Sequence, residues 1–202
     1  MRDNKPYITY LFVAANYVVF FWLEMIGSTN DAEFMIEMGA VWPERIMENW
    51  EYWRFLTSAF LHFGISHLLA NMLCLVYAGK YLESVLGHIR FFILYLCSAV
   101  GSSIVSYLHM RISGHYAVSA GASGAIFGVL AGWLWVLVLD RMLRGKLASW
   151  RVVLGLVYII YTGIAAEEGV DNWGHVGGIL TGYLLSVFLY SKKPKGVEEY
   201  EN

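Results

Sequence analysis

The sequence predicts an all-α polytopic membrane protein in which six transmembrane helices form one bundle. Of its 202 residues, 58% are apolar and only 15% are charged. A soluble domain is nearer half apolar and a quarter charged, so this composition indicates a chain that lies in lipid. Helices of roughly 17–25 residues cross a hydrocarbon core of about 30 Å. Six apolar stretches are suitable, approximately 7–27, 64–82, 91–110, 121–139, 150–166 and 174–191.

The ends of the chain are predicted from cleavage signals and charge. The first stretch is too long for a signal peptide and has no small-x-small site before Ser28, so we expect a retained helix. Basic residues lie mainly on one side of the bundle, with 11 of the 14 Lys and Arg there. By the positive-inside rule that side is cytoplasmic, and both termini lie on it. We expect one transmembrane domain over 1–191 and a short cytoplasmic tail over 192–202.

Three classes of partner or site are not expected. The net charge of −2 gives no indication of a nucleic-acid partner. Cys74 and Cys97 fall inside apolar stretches, which favours buried free thiols over a disulfide. His62 and His67 are five residues apart, whereas ligand pairs on a helix prefer three or four, and no acidic residue stands beside them. The sequence therefore predicts neither a metal site nor a cofactor.

The loop over 28–52 differs from the other connections. It mixes acidic side chains with aromatic and aliphatic ones, which makes it too apolar for a free loop and too charged to span a membrane. Such a composition suits the headgroup region. Two interpretations remain open: a loop packed on the outer surface of the bundle, or a flap partly embedded in the membrane beside an active site.

Polar residues at membrane depth are costly and usually face the interior of a bundle. Here they cluster near the start of three predicted spans: His62, His67 and Asn71 at the second, Ser123 at the fourth and His175 at the sixth. These three spans run in the same direction, so the five residues share one depth, a little below the outer surface. We expect their side chains to converge.

Glycines at helical spacing explain how the spans could approach closely. One ridge consists of Gly124, Gly128 and Gly132, and a second has Gly178 and Gly182 close to the face of His175. Small residues four apart let helix backbones pack tightly in membranes. Each ridge alone is a common packing feature, but here each presents one member of a Ser/His pair.

The residue types indicate nucleophilic catalysis. A serine hydroxyl becomes a good nucleophile when a neutral histidine takes its proton, so Ser123 would attack and His175 would act as base. His67, Asn71 and the Ser123 amide are placed to stabilise an oxyanion. No Asp or Glu is expected at the depth of His175, so we predict a dyad and not a triad. Taken singly, each residue would be a packing or hydrogen-bonding group; their joint occurrence favours catalysis.

The chain resembles the rhomboid family of intramembrane serine proteases over its second to sixth spans. The matching elements are Trp53-Arg54, His67-x-x-x-Asn71, Gly121-Ala122-Ser123-Gly124, and His175 followed by Gly178 and Gly182. The resemblance implies Ser123 as nucleophile, His175 as general base, and His67, Asn71 and the Ser123 amide as the oxyanion site. It also implies a six-helix core with an active site open to the outer face, and a fifth helix beside the substrate entrance.

Four further positions take their interpretation from that resemblance. Phe127 stands where a tyrosine is frequent in the family, so its ring could still pack on His175 without a hydroxyl. His62 matches a position that supports the outer loop, and Trp53 and Arg54 precede the second span. Glu83 resembles a motif at the cytoplasmic end, where we expect a structural role because it lies far from the chemistry.

Three functions compete at this stage. The first is an endopeptidase that cleaves single-span or polytopic membrane proteins near their outer ends, in a prokaryotic plasma membrane. The second is a catalytically dead relative that acts as a binding scaffold, which the presence of both Ser123 and His175 disfavours. The third is a small transporter or channel, which the absence of a sequence repeat disfavours. The substrate and the oligomeric state do not follow from the sequence.

Overall fold

The computed structural model describes residues 5–144, with the side chains only as far as 139, and residues 170–190. Within these ranges the chain is helical apart from its connections and one isolated β-bridge. The helices are α1 Tyr7–Ile26, α2 Ala32–Glu37, α3 Pro43–Asn49, α4 Arg54–Thr57, α5 Gly64–Leu86, α6 His88–Ser113, α7 Ser123–Arg144 and α8 Asn172–Leu189. A 3-10 turn at Ser58–Phe60 follows α4.

Five of the six predicted spans coincide with long helices. The helices α1 and α6 are long and apolar enough to cross a membrane, and α4 with its 3-10 turn forms a third, broken span with α5, bent by 93°. The apolar part of α7 is shorter and ends at Leu139. The predicted span 150–166 and the tail 192–202 lie outside the described residues. The protein is therefore an all-helical chain with two to three apolar spans in its described part.

Glycines mark the ends of the two longest helices. Gly87, at φ 83°, separates α5 from α6, and Gly114, at φ 72°, follows α6. A positive φ costs an L-residue energy that glycine avoids, so both positions favour a helix end. This is why α5 and α6 run a few residues beyond the apolar stretches that predict them.

The helices α5, α7 and α8 are parallel and begin at the same end of the bundle, which we call the Ser123 end. The helices α1 and α6 begin at the opposite end, which we call the Glu83 end. Between α7 and α8 the backbones touch: a Cβ placed on Gly178 would lie 2.0 Å from the Gly124 carbonyl oxygen, and one on Gly182 would lie 2.2 Å from that of Gly128. The predicted glycine packing is confirmed.

At the Glu83 end a buried carboxylate joins three helices. Glu83, 1% exposed, accepts hydrogen bonds from the amides of Ile8 at 2.9 Å and Thr9 at 2.8 Å, and from the Thr9 hydroxyl at 2.6 Å. His88 Nδ1 lies 2.5 Å from Oε1, the oxygen that accepts the Ile8 amide. The first amides of a helix have no partner within the helix, so Glu83 caps α1. This contact pattern fits the predicted structural role.

The loop between α1 and α5 packs on the bundle. Met35, Val41 and Ile46 are buried, while Trp50 is 72% exposed. Arg54, 2% exposed, holds this loop from inside, because its guanidinium donates to the carbonyls of Ile36 and Ala40 and its Nε lies 2.6 Å from Glu51. Of the two interpretations of the loop, packing on the bundle is confirmed, and membrane embedding stays a prediction.

The two cysteines require a correction. Both are free, but Cys74 and Cys97 lie exposed on the outside of their helices, and so the prediction of buried thiols was wrong. A helix that faces lipid carries apolar side chains on its outer face as well as toward the core. Apolar flanks therefore do not distinguish a core position from a lipid-facing one.

Candidate active site

The segment before α7 is held from several sides and delivers Ser123 to the start of the helix. Ser119 pairs with Val41 in the β-bridge, with N···O distances of 2.8 and 3.3 Å. The Gly121 amide donates to the Ser58 carbonyl at 2.9 Å. Gly121 has φ 138°, and a Cβ there would lie 2.9 Å from His67. Only glycine fits this backbone conformation and this close contact with His67, so the fold requires a glycine two residues before Ser123.

The helix α8 brings His175 to Ser123. Asp171 caps this helix, accepting the Gly174 amide at 2.8 Å, and the His175 amide bonds to the Asp171 carbonyl at 3.1 Å. In the first turn, Nε2 of His175 lies 3.0 Å from the Ser123 hydroxyl oxygen. That distance is a hydrogen bond between a candidate base and a candidate nucleophile.

The other predicted polar residues line one cavity with this pair. A space of about 460 Å³ is bordered by His67, Asn71, Ser123 and His175, among others. Asn71 is 7% exposed, and its Nδ2 has no hydrogen-bond partner among the described residues. Buried donors are nearly always paired, so an unpaired one on a residue that lines a cavity is a candidate donor to a ligand. The cavity therefore offers a nucleophile, a base and a free donor within one space.

Phe127 contacts His175, and His62 contacts the residue before Ser123. The Phe127 ring lies 4.3 Å from the His175 ring, centroid to centroid, as the sequence predicted for a packing residue. His62 is fully buried, and its Nε2 accepts the Ala122 amide at 3.4 Å. Because that nitrogen accepts, it carries no proton. His62 thus contacts the segment before the serine, where the resemblance implied support of the outer loop.

Trp53 and Arg54 do not join this cavity. Arg54 is occupied with the carbonyls of the loop between α1 and α5, and its guanidinium carbon lies 4.8 Å from the centre of the Trp53 ring. Arg54 binds the carbonyl of Ala40, the residue before Val41, and Val41 in turn pairs with Ser119. They are supporting residues of the loop.

Known proteins resemble this chain over most of its length. Residues 49–192 match the family described as "Rhomboid domain". The chain belongs to the rhomboid family. It is 34% identical over 188 residues to "Rhomboid protease GluP" of Bacillus subtilis (strain 168), covering 93% of this chain and 36% of that protein.

Plant relatives are similarly close. Identity is 38% over 152 residues to "RHOMBOID-like protein 4" of Arabidopsis thaliana, covering 75% of this chain and 38% of the relative. It is 35% over 169 residues to "RHOMBOID-like protein 6, mitochondrial" of the same plant, covering 82% and 53%. This rhomboid thus spans between 36% and 53% of the length of these three relatives.

Sequence analysis missed two residues of this rhomboid's site. Asp171 lines the cavity with His175, although no acidic residue was expected at that depth. Its described hydrogen bonds come from the Gly174 amide and from the Ser119 hydroxyl. The Asp-Asn pair before the apolar run was a recognisable helix N-cap, which is the signal that could have found Asp171. Ser119 carried no comparable signal.

The histidines and acidic residues of the site are not grouped as metal ligands in the described part of the chain. Within 5–139 and 170–190, no group of three or more His, Cys, Asp or Glu is arranged to hold a metal ion. His62 and His67 are in contact, with ring centroids 5.1 Å apart. His67 lines the cavity with His175, and these two histidines lie on different helices. What the arrangement provides chemically is a serine, a base and hydrogen-bond donors.

Proposed function

We propose that this rhomboid is an intramembrane serine endopeptidase that hydrolyses peptide bonds of transmembrane protein substrates near the outer membrane face, using a Ser123–His175 dyad. The observation that carries the proposal is the 3.0 Å hydrogen bond between His175 Nε2 and the Ser123 hydroxyl at the base of a cavity. A relative bearing the name protease supports it.

The first half of the reaction forms an acyl-enzyme. Ser123 Oγ attacks the substrate carbonyl carbon while its proton moves to His175 Nε2, which must start unprotonated. Phe127, packed on the imidazole, keeps the ring in the plane that reaches Ser123. The C–N bond then breaks, and the proton on Nε2 passes to the leaving amine.

The negative oxygen of the tetrahedral intermediate requires donors that are in place before the reaction. Asn71 Nδ2 is one, since it is buried and lacks a partner among the described residues. The Ser123 amide is another, because it lies in the first turn of α7, where amides lack helical partners and the helix dipole favours negative charge. His67 lines the same cavity and would be the third donor.

The second half consumes water. A water molecule gives its proton to His175 and attacks the ester carbon, after which the acid product leaves and Ser123 regains its proton. The pair lies in the first turns of α7 and α8, so water has only a short way to travel from that end of the bundle. A helix hides its carbonyls in internal bonds, so substrates with helix-weakening residues and a small side chain before the cut should be preferred.

The setting of this activity is also a proposal. The lipid bilayer is the solvent, the partners are single-span or polytopic membrane proteins, and no nucleic acid or cofactor takes part. The Ser123 end would face outward, with both termini in the cytoplasm. A prokaryotic plasma membrane is the expected location, although one relative is named as mitochondrial.

The test is covalent labelling combined with cleavage. Purified protein in detergent and in liposomes would be treated with a fluorophosphonate, which reacts with activated serines. In parallel it would receive a single-span substrate with a small residue near its outer end. Wild type, Ser123→Ala, His175→Ala and the double variant would be compared with Ser84→Ala and His115→Ala, which alter exposed residues.

Labelling at Ser123 and cleavage should both fall by at least ~10³-fold in each single variant, and the double variant should be no worse, because the two residues act as a unit. The two control variants should behave as wild type. Equal cleavage by wild type and Ser123→Ala would refute the proposal.

A further inference from the structure

Asp171 makes two hydrogen bonds that face in different directions. One oxygen accepts the Gly174 amide at 2.8 Å and so begins α8, the helix of His175. The other accepts the hydroxyl of Ser119, which lies 52 residues away in the sequence. A Cβ on Gly174 would lie 2.5 Å from this second oxygen, so glycine there leaves the space that the carboxylate fills. The carboxylate therefore connects two separate segments.

Ser119 is fixed on its backbone side as well. It pairs through both N–H and C=O with Val41, and the Gly121 amide two residues later bonds to Ser58. Four residues after Ser119 the chain reaches Ser123. A displacement of Ser119 should therefore also displace Ser123, because the segment between them is short and hydrogen-bonded.

The direct bond between Ser123 and His175 is poorly suited to hold these residues in position. A neutral hydrogen bond makes only a small net contribution to stability, and this one breaks whenever the serine is acylated. A hydrogen bond to a carboxylate is roughly twice as strong, and neither Ser119 nor Asp171 exchanges protons with substrate in the proposed cycle. The Ser119–Asp171 contact can persist through every step.

We propose that Ser119 and Asp171 form a latch that fixes the segment of the nucleophile against the helix of the base, with Asp171 as a positioning residue. This inference rests on the proposed serine protease function. The latch holds the Ser123–His175 distance while their own hydrogen bond is broken. It acts through geometry, since misplacement of reacting groups by about 1 Å can cost 10²-fold in rate.

The alternative is that Asp171 only caps α8. A cap alone predicts that Ser119→Ala changes nothing and that Asp171→Ala lowers stability without altering the rate per folded molecule. The latch predicts that Ser119→Ala, which leaves the cap intact, slows the reaction. Asp171→Asn keeps the cap through its amide oxygen, and its amide nitrogen can donate to the Ser119 hydroxyl oxygen, so it serves as the conservative rescue.

The experiment measures the rate constant for fluorophosphonate labelling of Ser123 in the full chain, with kcat and KM for cleavage. The latch predicts labelling about tenfold slower in Ser119→Ala, tenfold to a hundredfold slower in Asp171→Ala, and within about threefold of wild type in Asp171→Asn. Loss should appear in kcat and not in KM. Ser84→Ala, whose hydroxyl bonds only to the Tyr81 carbonyl in the described residues, is the matched control.

The outcomes separate the two proposals. If wild type is labelled at Ser123 and Ser119→Ala is labelled equally fast, the latch is refuted while the protease function stands. If wild type itself is unlabelled and inactive, the protease function is refuted and the latch with it. Melting temperatures add an activity-free check: Ser119→Ala and Asp171→Ala should lower Tm non-additively, since the second change removes a contact already lost. Additive shifts would overturn the latch.

Discussion

Two buried polar side chains at opposite ends of the bundle, Glu83 and Asn71, differ in how completely they are hydrogen-bonded. At the Glu83 end, the carboxylate on α5 contacts four groups, three from α1 and one from α6, and both of its oxygens are used. At the Ser123 end, Asn71 is buried to a similar degree, but its Nδ2 has no partner among the described residues. The Glu83 carboxylate is fully hydrogen-bonded by the protein, whereas the Asn71 amide nitrogen has a donor left for a ligand.

This difference separates stability from function within one bundle. A saturated cluster lowers the free energy of the folded state and has nothing left to offer a substrate. An unsaturated donor costs about 1 to 3 kcal/mol in the free protein and recovers it when a developing oxyanion arrives. Substitution of Asn71 should therefore change mainly kcat, and substitution of Glu83 mainly the free energy of unfolding.

The largest effect is expected at Asn71. Asn71→Leu should lower kcat by roughly 10²–10³-fold, because the proposed oxyanion donor is removed. Tm should stay the same or rise, since an unpaired buried amide is replaced by an apolar group. Asn16→Leu is the matched control, because Asn16 is also buried but its Nδ2 donates to the Phe12 carbonyl at 2.7 Å; its rate per folded molecule should be unchanged. A fall in Tm without a fall in kcat for Asn71→Leu would contradict the comparison.

The reverse pattern is expected at Glu83. Glu83→Ala should lower the free energy of unfolding by about 2–3 kcal/mol, because the first amides of α1 and the Thr9 hydroxyl lose their acceptor. Unfolding in detergent would measure this, and labelling of Ser123 per folded molecule should match wild type. Glu83→Gln retains an acceptor oxygen and should lose roughly half as much. Slower labelling in the folded fraction would mean that the two ends are coupled.

Gly182 lies between the two ends and should affect both measurements. A Cβ there would lie 2.2 Å from the Gly128 carbonyl oxygen, so Gly182→Ala forces α7 and α8 apart. We expect a loss of about 1–3 kcal/mol in stability and a parallel fall in the labelling rate. Leu180→Ala, on the exposed face of the same helix, is the control and should change neither. An active Gly182→Ala protein would show that helix spacing does not set the catalytic distance.

The smallest effect is expected at Phe127. The ring contact with His175 is of the kind that contributes about 0.5–1.5 kcal/mol, so Phe127→Leu should slow cleavage roughly threefold to tenfold. Phe127→Tyr keeps the ring and should remain within about twofold of wild type, by the same reasoning. The comparison of kcat at saturating substrate tests both. A large loss in Phe127→Tyr would mean that the space beside the ring is closed to a hydroxyl.

Much of the fold followed from the sequence because its determinants are periodic. Apolar length located the five long helices of the described part, and glycines four apart predicted the contact of α7 with α8 that brings Ser123 to His175. Local capping signals were also present in the loop before α5. Asp31 accepts the amide of Glu33, and Pro43 stands at the first turn of α3, so both short helices carried a recognisable start.

What could not be predicted depends on contacts between irregular segments. Ser119 and Asp171 meet only because Val41 and the cap of α8 place their loops together, and nothing in either local sequence specifies the other. The left-handed backbone of Trp50, at φ 60°, is likewise imposed by the packed loop. Cys74 and Cys97 were misplaced for a different reason, since lipid and protein core favour the same apolar neighbours.

The contact between α7 and α8 has a mechanical consequence. No side chain lies between Gly124 and Gly178 or between Gly128 and Gly182, so the spacing is set by main-chain atoms that cannot change rotamer. Such a contact is nearly incompressible. Changes in the lateral pressure or thickness of the bilayer should then tilt the two helices together as one rigid body. The tilt would alter the depth of the Ser123 end in the membrane, while the distance from Ser123 to His175 stays constant.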